Sequence, residues 1–241
     1  MAGRGRTDGG GRRMPEGDFF RYDQAAVDHL ARKDKKLAAA MQAIGPVRRE
    51  VMPDLFQALM HAITGQQISM AAQRTVWGRL CGLLGEVTPQ NLLARPQAAL
   101  QALGLSARKV DYMRGIARQV VDGELDLPGM AALEDAEVCR RLAALRGIGV
   151  WTAEMLLLFS LQRPDILSYD DLAIRRGLRM LYRHKEMPRE RFERYRRRFS
   201  PYGSLASLYL WAIAGGALPE LDDPAERKKG RSRPAASLKS R

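Results

Sequence analysis

Apolar residues recur at helical spacing from about residue 24 to residue 214 of this 241-residue chain. Over 24–44, Ala26, Leu30, Leu37, Met41 and Ile44 predict one helix, ended by Gly45-Pro46. Leu55, Phe56, Leu59, Met60 and Ile63 predict another over 53–64, with Pro53 suited to its first turn. Gly65-Gln66-Gln67-Ile68-Ser69 breaks that helix, and Ser69 can cap a helix over 70–84. One or two short helices are expected over 88–103, interrupted by Pro96. Ser106 caps a helix over 107–122, 123–130 reads as a loop, and 134–145 leads into a tight turn. A strongly apolar run fills 150–161, and 172–182 and 202–214 read as further helices. No convincing period-two strand and no solenoid repeat occur, so the predicted fold is all-α.

The densest chemistry lies at 145–176. Arg146-Gly147-Ile148-Gly149 opens a helix whose first amides carry partial positive charge and suit a phosphate. GIGVWT is not a dinucleotide fingerprint, because Thr152 stands where the third glycine belongs. After the break at Arg163-Pro164-Asp165, Asp170 and Asp171 enter an arginine-bearing helix, where either acid is a natural N-cap. Arg175, Arg176, Arg179 and Arg183 are expected to face solvent or phosphate.

Forty Lys and Arg against 27 Asp and Glu give a net charge of +13, which favours a polyanionic partner, nucleic acid first. Cys81 and Cys139 are too few for a disulfide framework or a four-cysteine iron–sulfur cluster, and His29, His61 and His184 are scattered. The Gly/Arg-rich start is not a secretory signal, and 201–219 is too short and polar to span a membrane. A location in the cytoplasm, associated with the nucleoid, is expected. Residues 1–18 are expected to be a disordered lead, 19–223 a helical domain of two lobes, and 224–241 a basic disordered tail that adds nonspecific DNA affinity.

Leu145-Arg146-Gly147-Ile148-Gly149, followed by Trp151-Thr152-Ala153 and by Asp171 twenty residues after Trp151, resembles the helix-hairpin-helix signature of the base-excision DNA glycosylases. The resemblance is to the AlkA-like, 3-methyladenine branch in compact form. It extends over about 53–215, including 65–69 and 103–109. It implies two helical lobes around a DNA-binding cleft, and damaged duplex DNA as the partner of a monomer. It further implies catalysis by Asp171, a base pocket walled by Trp151, Trp211 and Tyr209, and DNA contacts from Gln66, Gln67, Gly147, Gly149, Thr152, Arg175 and Arg176. Gln67 occupies the place of the side chain that fills the gap left by a flipped nucleotide; otherwise 65–69 is an ordinary polar turn. Backbone carbonyls of Ala143, Leu145 and Ile148 match those that hold Na+ or K+ in the family; no cofactor is otherwise required. The family's lysine nucleophile position is Trp151 here, which implies a monofunctional enzyme that leaves an abasic site. Tyr169 departs from the family, where Pro often stands two residues before the acid. The rival readings are a non-catalytic helix-hairpin-helix DNA-binding protein, with Asp171 only a cap, and a glycosylase for mismatched or oxidised bases.

Overall fold

The computed structural model describes residues 18–226. Most of the predicted lead and of the predicted tail lies outside the described residues. The chain there is all-α, and its strand-like feature is an isolated bridge between Phe19 and Glu50. The expected helix over 24–44 is two helices, α1 (Gln24–Lys33) and α2 (Lys35–Ile44). Asp34 adopts extended backbone between them. Its Oδ1 accepts from the amides of Lys36 and Leu37, and its Oδ2 accepts from Arg198 at 2.7 Å. Apolar positions on both sides of Asp34 share a helical period, which hides the break; the cap and the distant arginine create it.

The middle of the chain forms α3 (Leu55–Gly65), α4 (Met70–Leu84), the short α5 (Pro89–Leu93) and α6 (Gln97–Gln101), α7 (Ala107–Val121), α8 (Asp135–Ala143) and α9 (Val150–Phe159). Ser69 and Ser106 cap α4 and α7 as expected. Pro53 falls outside α3, because Asp54 is the N-cap. The expected loop before α8 contains a 3-10 turn at Pro128–Ala132. The chain closes with α10 (Leu172–Tyr182), α11 (Arg189–Phe199) and α12 (Gly203–Ala214). Despite its charge, α11 buries Phe192, Tyr195 and Phe199 along one side.

Two apolar cores result. One is built mainly from α3 to α9, with Leu59, Met60, Leu80, Met113 and Leu158 at its centre. The other joins α1 and α2 to α10, α11 and α12 around Leu30, Leu37, Ile174, Phe192 and Leu210. Tyr22, Val47 and Trp211 pack against both. In the second core, α10 crosses α12 closely at Gly177: a Cβ there would collide with the backbone of Leu210. That approach brings the N-terminus of α10 beside Trp211.

Candidate active site

The hairpin between α8 and α9 depends on one of its two glycines. Gly147 has φ 90°, and a Cβ on it would strike the ring of Tyr112. Gly149 has ordinary backbone and open space around it. It is the N-cap of α9 with no side-chain capping bond, so the first amides of α9 stay available to an anion. Leu145 and Ile148 are buried beneath the turn.

The turn between α3 and α4 is tied to this hairpin. Gln66 Nε2 donates to the Gly147 carbonyl at 2.7 Å. Lys109 Nζ donates to the carbonyls of Thr64 and Gln66 at 2.9 and 2.8 Å, and burial pushes its pKa down. Lysine at a helix C-terminus satisfies unpaired carbonyls and the negative end of the helix dipole. The 103–109 stretch was legible as a cap, but the long-range role of Lys109 was not. Gln67 is exposed at the far point of the turn with φ 57°, a left-handed conformation uncommon outside glycine.

Asp171 is buried and caps α10, whereas Asp170 is exposed. Its Oδ1 accepts from the Ile174 amide at 2.8 Å and from Trp211 Nε1 at 3.1 Å. Its Oδ2 accepts from Trp151 Nε1 at 3.0 Å. Two indoles from different helices therefore hold one carboxylate. Trp151 is 46% exposed and lines a cavity of about 620 Å³, shared with His61, Gln66, Gln67, Thr152 and Phe159. Trp211 stands behind Phe159, with ring centroids 5.4 Å apart and planes inclined by 23°.

Two sequence expectations need correction. Tyr209 is not a pocket wall: it is buried in the second core, its hydroxyl donates to the Gly45 carbonyl at 3.1 Å, and burial pushes its pKa up to about 12. Positions two apart on a helix differ by roughly 200° in direction, so Tyr209 and Trp211 cannot face the same way. Arg175 and Arg176, expected to contact DNA, do not line the cavity. Arg175 lies over the Tyr169 ring at 4.9 Å, and Arg176 reaches Glu226 at 3.5 Å and Asp223 at 3.8 Å. Arg179 and Arg183 were expected to face solvent or phosphate. Arg183 is exposed as expected and bonds Asp222 at 2.9 Å, whereas Arg179 is largely covered and forms a two-pronged pair with Asp223. These acids follow α12, and sequence spacing gave no sign that they return to α10. Trp77 packs against the first core, edge-on to His61.

An all-helical fold with a glycine hairpin beside a capped, indole-held aspartate defines a class of DNA repair protein. A family described as "HhH-GPD superfamily base excision DNA repair protein" matches residues 60–201. The chain belongs to that superfamily. It is 30% identical over 209 residues to DNA-3-methyladenine glycosylase 1 of Schizosaccharomyces pombe, covering 83% of this chain and 91% of the relative. It resembles the crystal structure of a DNA-3-methyladenine glycosidase from Bacillus halodurans with a TM-score of 0.75 and 34% identity, over 84% of this chain and 95% of the other. It also resembles the S. pombe 3-methyladenine DNA glycosylase in complex with abasic DNA, with a TM-score of 0.69 and 30% identity, over 78% and 95% of the two chains.

Proposed function

We propose that this protein is a monofunctional DNA glycosylase that releases alkylated bases of the 3-methyladenine type from duplex DNA. The observation that carries this reading is Asp171, held by Trp211 and by Trp151, which lines a cavity large enough for a base. A carboxylate has about four acceptor sites. Three are engaged by N–H donors, which leaves one on Oδ2 for a sugar or a water. Cleavage of the N-glycosidic bond develops positive charge on the deoxyribose. A carboxylate fixed before the reaction stabilises that charge without reorganising, and its free site orients the attacking water.

The base must leave the helix to reach the cavity. Gln67, at the rim, fills the vacated space. The hairpin amides of Gly149 and its successors take a DNA phosphate. A cationic alkylated purine gains roughly 0.5–2 kcal/mol against an aromatic face such as Trp151. The hairpin also suits a monovalent cation: Ala143 ends α8, where helix carbonyls lack intrahelical partners, and Leu145 and Ile148 add turn carbonyls. Leu145 O already accepts from Ile148 N at 3.0 Å and keeps a second lone pair. Na+ or K+ there supplies charge opposite a phosphate. We place the protein in the cytoplasm, on the nucleoid, as a monomer; among the described residues no helix is long and apolar enough to cross a membrane.

The test is incubation with methylated duplex DNA, scoring free bases and strand state. Release of 3-methyladenine with intact abasic strands and no borohydride-trapped adduct is the expected result. A trapped adduct refutes the monofunctional reading. DNA binding without any base release returns Asp171 to a cap in a non-catalytic binding protein.

A further inference from the structure

Gln73 is among the polar side chains of the base pocket that the reading above leaves without a role. Gln73, on α4, lines the cavity together with His61 and Gly65 of α3. Its carboxamide lies where a side chain on Gly65 would be: a Cβ on that glycine would collide with Nε2 and Cδ of Gln73. The absence of a side chain at Gly65 thus admits the amide group to the pocket wall.

The orientation of that amide is set. Nε2 donates to the His61 carbonyl at 3.1 Å and lies 3.3 and 3.4 Å from the two nitrogens of the His61 ring. Turned over, Gln73 would point a carbonyl oxygen at the carbonyl of His61, which repels it. Oε1 is therefore the free end, and among the described residues no group donates to it. The His61 ring is itself engaged edge-on with Trp77, with centroids 5.0 Å apart. Burial pushes the His61 pKa down, so this neighbour is an uncharged ring and does not repel a cationic base. Much of the remaining wall is apolar, including Met52, Ala58, Ala62 and Met155. An acceptor without a donor in such surroundings rewards a ligand that donates to it and penalises one that cannot.

We propose that Gln73 is a specificity-determining residue whose Oε1 accepts an N–H from the flipped base. The pocket then favours alkylated purines that keep an exchangeable N–H, such as the 6-amino group of 3-methyladenine. It disfavours adducts whose N–H groups are consumed by ring closure, such as 1,N6-ethenoadenine. This rests on the reading of the cavity as the base pocket.

The experiment compares single-turnover release of 3-methyladenine from methylated duplex DNA with release of 1,N6-ethenoadenine from a defined duplex. The variants are Gln73→Leu, of similar volume, and Gln73→Met, whose unbranched chain fills the same groove if leucine impairs folding. Each variant is to slow 3-methyladenine release about 10-fold and to raise ethenoadenine release by about the same factor, because the unpaired acceptor is gone. The relative preference then moves on the order of 100-fold toward ethenoadenine. Equal changes on both lesions, or none, overturn the proposal. Ala62→Phe, which fills the cavity, separates this failure from failure of the pocket itself. If the folded Ala62→Phe protein releases bases at the wild-type rate, the base sits elsewhere. If it is inactive while Gln73→Leu keeps the wild-type preference, the pocket stands and Gln73 does not read the base.

Discussion

A side chain that accepts three N–H bonds has little freedom to turn, and the two indoles on Asp171 fix the plane of its carboxylate as well as its position. Asp171→Asn keeps a good N-cap but removes the charge that faces the sugar, so it is expected to fold. Loss of a preorganised electrostatic group costs about 10²–10³ in rate, measured as single-turnover base release, with DNA binding retained. Asp170→Asn, on the exposed neighbour, is expected to stay close to wild type; the reverse pattern would show that the wrong acid was assigned. Gln67 makes a different prediction because the role proposed for it comes before bond cleavage. Opening a duplex costs a few kcal/mol in pairing and stacking, which a filling side chain partly recovers. Gln67→Ala is therefore to slow release more from a paired lesion than from a mispaired one, whereas Asp171→Asn loses the same factor on both. At this scale Asp171 and Trp151 were legible, since a turn, an indole and an acid at fixed spacing form a specific pattern. Tyr209 was misassigned because adjacency in sequence hid its angular position on α12. Gln73 and Lys109 could not be identified, because nothing local marks a polar side chain that will fold over a distant glycine or carbonyl.

Between elements, the position of Asp171 is inherited from the crossing of α10 and α12. Gly177→Ala places a methyl group against the Leu210 backbone, which cannot yield as a flexible side chain does. Overpacking of this kind costs typically 1–3 kcal/mol. The variant is expected to melt lower and, by parting α10 from α12, to lose activity beyond its loss of stability. Wild-type activity in a fully folded Gly177→Ala protein would mean that the Asp171–Trp211 contact is dispensable. The outer side of α10 is held by acids from beyond α12. Asp223 is buried, and the Arg179 guanidinium holds its carboxyl below the ordinary value of 3.8. As pH falls, the unfolded chain takes up this proton before the folded one does. The clamp therefore stabilises the fold above the ordinary carboxylate range, and that contribution is lost as pH falls through 3.8 toward the lower folded value. Arg179→Met strands a buried carboxylate, a change that costs roughly 3 kcal/mol at neutral pH. The difference in melting temperature between wild type and Arg179→Met is expected to shrink on acidification, and a pH-independent difference rules the clamp out. Helical periodicity made most of these elements legible. The break at Asp34 was not, because an arginine 164 positions away completes its hydrogen bonding, and neither was the clamp.

The net charge of +13 belongs to the whole chain, and its placement separates recognition from general affinity. Residues 227–241 hold seven Lys and Arg and no acid, so their removal lowers the net charge from +13 to +6 (13 − 7). They lie outside the described residues, and the cut spares Asp222, Asp223 and Glu226, which pair with Arg183, Arg179 and Arg176. Trp151, Asp171 and Trp211, the proposed catalytic constellation, come from α9, the start of α10 and α12, none of which the cut touches. Each phosphate neutralised contributes roughly 0.9 to the slope of log affinity against log salt, so the deletion flattens the slope by at most about 6. Binding at low salt should weaken accordingly, while single-turnover release at saturating protein stays within about twofold of wild type. A slope unchanged by the deletion would show that the tail never meets DNA, leaving the charge of the helical body to supply all the nonspecific affinity. A lost single-turnover rate with an intact melting temperature would instead tie residues 227–241 to the chemical step, and the separation between affinity and catalysis would fall.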